Sequence, residues 1–364
     1  MNSGRKDRPG VVAVRSTLRT SRSSERDMHL ITGGTGIVGI HLLHLLTSSG
    51  NAVRALVRPG TDRRIVERVF RHYTGDPSVL LARITWVEGD LHDMPSLEDA
   101  MIGVDRVYHA AALVSFDPRD LRELRRTNVE GTANVVNAAL NAGVDRLCHV
   151  SSTASMGRAE AGKPVDESLP WIEDADTSPY ALSKYEAELE VQRGIAEGLD
   201  AVIANPSVVI GPGFPGRSSM TLAERLQRGT RFHPTGSNGF VDARDVAQAL
   251  VLLMEKGATG DRHLIVGGAH SYEELFGMHA ASFGHPRSTR PLWPWVLALA
   301  WRFERLRTMI TRQRPMITRH TVHSSMDQRT YDAGRIMGMG MRFRPVQEAV
   351  DNVARFLKAA DHPQ

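Results

Sequence analysis

Tyr180 and Lys184, in Tyr180-Ala181-Leu182-Ser183-Lys184, stand one helical turn apart and share a face. A phenol titrates near ~10 and exchanges protons poorly at neutral pH. An ammonium beside it favours the phenolate, lowers that value and makes the phenol a usable acid or base. Ser152, in Val150-Ser151-Ser152-Thr153, follows an apolar run, where a strand's carboxyl end would project its hydroxyl into a ligand crevice. Without the Tyr180/Lys184 pair, that serine reads better as a polar strand terminus or a helix cap. An earlier stretch, His29-Leu30-Ile31-Thr32-Gly33-Gly34-Thr35-Gly36-Ile37-Val38-Gly39, gives these residues their context. There an apolar run passes through a glycine-rich turn into a helical pattern of Leu42, Leu43, Leu45 and Leu46. That order suits a dinucleotide pyrophosphate: glycines let the backbone approach the phosphates, and the helix N-terminus offers unpaired N–H groups. Gly33, Thr35, Gly36, Ile37, Val38 and Gly39 form the candidate cradle.

The elements that would position these residues alternate along the chain. Short apolar or β-rich runs at Ala52–Val57, Arg83–Val87, Arg106–His109, Arg146–Val150 and Ala201–Ala204 follow the first strand. Helical stretches lie between them, Leu121–Leu140 and Pro179–Ala196 being the clearest. Strands alternating with helices predict an α/β fold, a Rossmann-type doubly wound parallel sheet with ligands at the strands' carboxyl ends. After Val209 the regularity breaks at the loop Gly211–Gly216. A helix over Asp242–Met254 and a strand over His263–Val266 follow. The expected organisation is a dinucleotide-binding domain over residues 28–210, to which 240–266 return. A smaller, mostly helical substrate lobe would comprise 211–239 and 267–364. The apolar run Leu292–Trp301 is too short to span a bilayer. It reads first as a core helix, and alternatively as a surface for lipid or an apolar substrate.

Composition narrows the class. The 364 residues, 41% of them hydrophobic, describe a globular chain able to bury a sizeable core. The single cysteine, Cys148, excludes an internal disulfide and argues against a multi-cysteine zinc site, and within Arg146–Val150 it reads as buried filler. No metal is expected. Residues 1–27 hold seven Lys/Arg against three acids, which accounts for the whole net charge of +4, so the body is not basic and nucleic acid is not an expected partner. That segment has no apolar h-region and reads as a disordered basic extension ending at Met28, with a cytoplasmic location expected. Within the body, residues 287–344 hold twelve Arg and only Glu304, Asp327 and Asp332. Such a region suits an anionic substrate, an acidic lipid surface or plain solvent.

With these motifs in order, the chain resembles an extended short-chain dehydrogenase/reductase of the NAD-dependent epimerase/dehydratase superfamily. Within it, the dihydroflavonol-4-reductase-like and 3β-hydroxysteroid dehydrogenase-like branch is most similar. The resemblance covers about residues 28–360. It rests on Gly33/Gly36/Gly39, Gly89-Asp90-Leu91, His109-Ala110-Ala111-Ala112, Asn128-Val129-Glu130-Gly131-Thr132, Ser152, Tyr180/Lys184, Asn205-Pro206-Ser207-Val208 and Val241–Val246. It implies Tyr180 as acid/base on the substrate oxygen and Ser152 as a hydrogen-bond partner of that oxygen. Lys184 would hold the nicotinamide ribose and lower the Tyr180 pKa. Asp90 and Leu91 would flank the adenine, Ala110, Ala111 and Ala112 would admit the cofactor closely, and Pro206 and Ser207 would sit by the nicotinamide. Asn128 and Asp245 are expected to be structural. A homodimer through helices beside the Tyr/Lys element is a further family expectation.

NAD binding wants a carboxylate at the end of the second strand, and NADP a cation for the 2′-phosphate. Ala55-Leu56-Val57-Arg58-Pro59 puts Arg58 there, with Arg54 as a second candidate, and Asp62 falls later. NADP(H) is therefore favoured, with NAD(H) retained because Arg58 could stack on adenine instead. Leu113, Val114, Phe116, Phe214, Trp293 and Trp295 lean apolar as substrate-lining candidates, and Gly236-Ser237-Asn238-Gly239 lacks the cation that grips a diphosphate in sugar-nucleotide enzymes. This favours hydride transfer between nicotinamide and a ketone or secondary alcohol of a fairly apolar small molecule. An NAD-dependent sugar-nucleotide epimerase or dehydratase is the alternative, and a non-catalytic redox sensor or scaffold a second. Pro291–Val322, with Arg314-Pro315-Met316-Ile317-Thr318, also resembles the dihydroflavonol-reductase-like branch.

Overall fold

A computed structural model describes residues 27–361 apart from 161, 175, 288 and 312–317. The expectations for residues 1–26 and for the 314–317 motif lie outside the described residues. Strands form where short apolar runs can be buried. In chain order they are β1 (His29–Thr32), β2 (Val53–Val57), β3 (Ile84–Glu88), β4 (Arg106–His109), β5 (Arg146–Val150), β6 (Ala201–Pro206), β7 (Val208–Ile210), β8 (Phe232–His233), β9 (Ser237–Asp242), β10 (Arg262–Ile265), β11 (Gly268–Ser271) and β12 (Arg290–Pro291). Seven of them make one parallel sheet in the order β10-β6-β5-β4-β1-β2-β3. Such a sheet is covered on both faces, which is why β1 and β6 are buried throughout and read as unbroken runs. The strand order reverses between β1 and β4, and the carboxyl ends open a crevice there.

Eleven helices matter to the argument: α1 (Ile37–Ser48), α2 (Arg64–Thr74), α3 (Met94–Met101), α4 (Gly131–Ala142), α5 (Pro179–Ala196), α6 (Ser218–Leu226), α7 (Ala243–Lys256), α8 (Tyr272–Phe283), α9 (Pro294–Thr311), α10 (Arg319–Met326) and α11 (Val346–Asp361). One face of the sheet is covered by α1, α2, α7 and α11 through residues such as Ile40, Phe70, Leu250 and Val353. The other is covered by α3, α4 and α5 through Leu97, Val135 and Val191. Each fully buried side chain of this size stabilises the fold by about 1.5–3 kcal/mol before chain entropy is counted. The start of α5 is set locally: Pro179 occupies its first turn, and the Ser178 side chain accepts the Ala181 N–H at 3.1 Å.

Several expectations change. Leu121–Leu140 is not one helix: a 3₁₀ turn and one α turn lead into a π-helical stretch over Arg125–Glu130, and α4 begins at Gly131. Asn128, in that stretch, is turned inward and bonds the backbone of Leu113 and the Ser183 hydroxyl, contacts that a regular helix would not aim there. Beyond Val209, β7, β9 and β11 form a three-stranded sheet and β8 pairs with β12, whereas the sequence reads as loop and irregular helix. The late strand, β10, joins the edge of the main sheet beside β6. Leu292–Trp301 falls largely within α9, yet Trp293, Trp295 and Leu299 are exposed, so it is not a core helix. No described helix is long and apolar enough to cross a membrane.

The glycine turn is where packing is least forgiving. Gly33 has φ +73°, a left-handed conformation, and a Cβ there would lie 2.6–2.7 Å from the Ala110–Ala111 backbone. A Cβ on Gly39 would overlap the Gly33 carbonyl oxygen, while one on Gly36 would meet only that oxygen, at 3.3 Å. Thermal and denaturant unfolding of Gly39→Ala should therefore show a loss of about 1–3 kcal/mol, with Gly36→Ala markedly milder. Equal losses in the two variants would contradict this packing.

Candidate active site

Carboxyl ends of β1, β2, β4, β5 and β6 open into a crevice of about 2010 Å³. It is bordered by Gly33, Thr35, Gly36, Ile37 and Val38 at one end and by Ser152, Tyr180, Lys184, Pro206 and Ser207 further along. Arg58, Asp90, Leu91, Ala110, Ala111 and Ala112 border it as well. Gly39 does not. It is buried beneath the turn, where its missing side chain lets α1 pack on Gly33. The Gly36 cap of α1 carries no side-chain hydrogen bond, which leaves the first-turn N–H groups facing the opening.

Each wall has a local cause. Thr32 Oγ1 lies 2.7 Å from His109 Nδ1 and accepts the Ala111 N–H at 3.3 Å, tying the Ala110–Ala112 backbone to β1. The far side of His109 meets Thr132 Oγ1 at 2.9 Å, and burial lowers its pKa to about 3, so it stays neutral. Asp90 turns the chain after β3 by accepting the His92 N–H at 2.9 Å, and Asn134 holds the Leu91 carbonyl at 2.8 Å. Arg58 is exposed at the end of β2. Arg54 is not beside it: at the other end of β2, it donates to the Ala100 and Ile102 carbonyls at 2.6 and 2.8 Å. Asp62 borders the crevice, but its carboxylate is engaged by Arg64 at 2.8 Å.

At the chemical end, Lys184 is 1% exposed and its Nζ donates to the Val150 carbonyl at 2.8 Å. Burial lowers its pKa to about 8, and the nearby Glu188 acts in the opposite direction. Tyr180, one turn earlier, is half-buried, with the Phe116 ring edge-on at 5.8 Å between centroids. Its phenol is raised above the ordinary value by burial, while a side-chain hydrogen bond with Ser152 pulls it down. The expected lowering by Lys184 is thus absent: the ammonium is bound to a backbone carbonyl, and desolvation of the phenol dominates.

Sequence reasoning missed the buried network one turn beyond Lys184. Glu188 Oε1 accepts from Ser155 Oγ at 2.5 Å and Asn205 Nδ2 at 2.6 Å, and Arg262 lies 3.0 Å from Oε2. Asn205 also donates to the Ser152 carbonyl at 3.2 Å, and Arg262 to that of Ser155 at 3.0 Å. One carboxylate therefore joins α5, the turn carrying Ser152, and the ends of β6 and β10. The signal was available as Lys184-x-x-x-Glu188, a charge pair on one helix face.

The remaining wall is mixed. Leu113, Val114, Phe116 and Phe214 border the crevice as expected, whereas Trp293 and Trp295 point outward at 61% and 65% exposure. Asp176, His320, His323 and Arg329 border the crevice too, and sequence reasoning also missed them. Arg329 is brought in by its backbone, which exchanges hydrogen bonds with Ser237 at 2.8 and 3.1 Å, and its guanidinium donates to Asp327 at 2.8 Å. A cation thus stands beside the 236–239 segment that lacks one of its own. Cys148 is fully buried and its thiol is pushed up to about 12, the inert filler that its surroundings imply.

Fold and crevice together define an NAD(P)-dependent enzyme of the short-chain dehydrogenase/reductase type. Residues 29–267 match the NAD dependent epimerase/dehydratase family, and the chain belongs to that family. It is 30% identical to a Synechocystis sp. protein named as a dihydroflavonol 4-reductase, over 91% of this chain and 95% of that one. Sterol demethylase protein B of Methylococcus capsulatus is 33% identical over 71% of this chain and 75% of its own length. Among solved structures, gox2253 superposes with a TM-score of 0.76 at 28% identity, covering 93% of this chain and all of that one (100%).

Glu188→Gln removes the charge that raises Lys184 while keeping most of the network's shape. Lys184 is cationic below about pH 8, so turnover should decline on an alkaline limb near that value, and the variant should move the limb to lower pH. A limb that stays in place while kcat falls would reduce Glu188 to packing.

Proposed function

We propose that the chain is an NADP(H)-dependent oxidoreductase that moves hydride between nicotinamide and the carbonyl carbon of a ketone, or the corresponding secondary alcohol. Tyr180 is its acid/base. The observation that carries this reading is the meeting of Ser152 and Tyr180 over a buried Lys184, in the same crevice that begins at the glycine turn. The residues present fit a dinucleotide. Gly33 allows the turn, Gly36 leaves its crevice side without a side chain, and the α1 N-terminus is uncapped. When bound, the nicotinamide supplies or accepts the hydride.

This chain's own residues do the rest. In the reductive direction Ser152 and Tyr180 hold the carbonyl oxygen, and Tyr180 gives its proton to that oxygen as negative charge develops there. A phenol kept protonated by burial suits a donor. Lys184, cationic at neutral pH, holds the ribose hydroxyls. Arg58 takes the 2′-phosphate, since Asp62, the nearest acid, is already paired with Arg64. Leu113, Val114, Phe116 and Phe214 favour a fairly apolar substrate body, and the names of the dihydroflavonol and sterol relatives agree with one. The wall of Asp176, His320 and Arg329 suits a polar end. Arg329 is also the specific observation favouring a second reading, an NAD-dependent sugar-nucleotide epimerase or dehydratase, because it supplies the missing cation.

Ketone-dependent NADPH oxidation, assayed with aromatic and steroid ketones, should be lost by ~10²-fold or more in Tyr180→Phe. Internal reduction of tightly held NAD by a nucleotide sugar, with no net NADPH use, would replace this reading with the second. Arg58→Ala should weaken NADPH by about tenfold or more while sparing NADH, read by fluorescence titration. Equal weakening of the two would remove the phosphate assignment.

A further inference from the structure

We infer that the face formed by α9 and the β8–β12 ribbon docks on an anionic membrane surface. An exposed row runs along α9: Trp295 (65%), Leu299 (47%) and Phe303 (68%) recur every fourth residue and so lie on one stripe, about 12 Å long. Trp293 (61%), just before the helix, extends the row. Phe232, exposed on β8, lies opposite Arg290 in the paired β12. Single exposed apolar residues need no explanation, but a row of large ones on one element marks a contact surface. Indole and phenyl rings in particular suit the boundary between headgroups and acyl chains.

Charge selects the occupant. Arg287 and Arg290 are exposed on the approach to α9, Arg302 is exposed within it, Arg231 is exposed next to Phe232, and residues 287–303 contain no Asp or Glu. A second copy meeting this face about a twofold axis would set arginines against arginines. The N-terminal segment, with seven Lys/Arg against three acids, would be repelled likewise. Anionic headgroups are attracted instead, at about 1 kcal/mol for each Lys or Arg near the surface. The attachment is peripheral, since no described helix is fit to cross a bilayer. Its position gives it a use: α9 packs on α10, and α10 contributes His320 and His323 to the crevice wall. A docked enzyme would hold that wall close to membrane-dissolved substrates. This inference goes beyond the proposed reaction, and its test does not depend on turnover.

The full chain should co-sediment with vesicles of phosphatidylcholine mixed with phosphatidylglycerol. It should not do so with phosphatidylcholine alone, binding should weaken as salt rises, and tryptophan emission should shift to the blue. The triple variant Trp293→Ser/Trp295→Ser/Phe303→Ser should bind about tenfold or more weakly with an unchanged melt, and Arg287→Glu/Arg290→Glu should do the same. Absence of binding by the wild type would overturn the inference. So would binding that survives both variants, which would put the contact elsewhere in the chain, and so would a wild-type dimer that the triple variant splits. Activity on a water-soluble ketone should be the same in all variants, which separates this test from that of the reaction.

Discussion

A single buried cation organises the chemical end of this protein. Lys184 has almost no solvent contact and satisfies its charge mainly through the Val150 carbonyl. An ammonium removed from water is costly, which is why its pKa falls to about 8. The arrangement holds because α5 is fixed by more than this one bond. Ser178 and Pro179 set where the helix starts, Asn128 holds Ser183, and Glu188 joins the next turn to three neighbouring segments. With the helix so held over the end of β5, the Tyr180 phenol is within hydrogen-bond reach of Ser152. The sign of the linkage follows: between pH 8 and 10.5 the unfolded chain keeps a proton on this lysine that the folded one has released. Its burial penalty is thus present below about pH 8 and fades as pH rises.

Two environments meet in the crevice. The end at the glycine turn is made of backbone: a left-handed glycine, an uncapped helix start, and the Ala110–Ala112 segment tied to Thr32. The far end is made of side chains drawn from distant parts of the chain. The segment following Gly157 is held to the C-terminal region by backbone bonds of Val165 to Thr330 and Asp332, which sets the Asp176 and Arg329 walls in place. The C-terminal region is anchored in turn by Arg344, whose backbone N–H and guanidinium both reach the fully buried Asp245 of α7. Backbone recognition suits a ligand shared across a family, and side chains from variable segments suit a ligand that differs between members.

What could be read in advance follows from range. The inner strands of the main sheet were legible because they are short apolar runs buried on both faces, and the start of α5 was legible because proline and a capping serine mark it. The glycine turn was legible because Gly33 and Gly39 answer local steric demands. The π-helical stretch was hidden, since it depends on Asn128 finding Leu113 and Ser183 across space. The strands β7, β9 and β11 are short and mixed in polarity, and only their pairing makes them strands. Arg54 and Arg58 look equivalent in sequence, yet a four-residue offset puts them at opposite ends of β2. Trp293 and Trp295 were read as lining because they are apolar, and the structure instead presents them outward. Arg329 was invisible because the backbone bond to Ser237 spans ninety-two residues.

Lys184 is a buried, nearly desolvated ammonium, and the proposed reaction requires its charge. The chain contains five lysines, so an NMR titration of ¹⁵Nζ-labelled lysine resolves it directly. One signal should lose its proton near about pH 8 and be missing from Lys184→Met. If no lysine signal titrates below the ordinary range of ~10.4, the ammonium is not held as described and the account of the site fails.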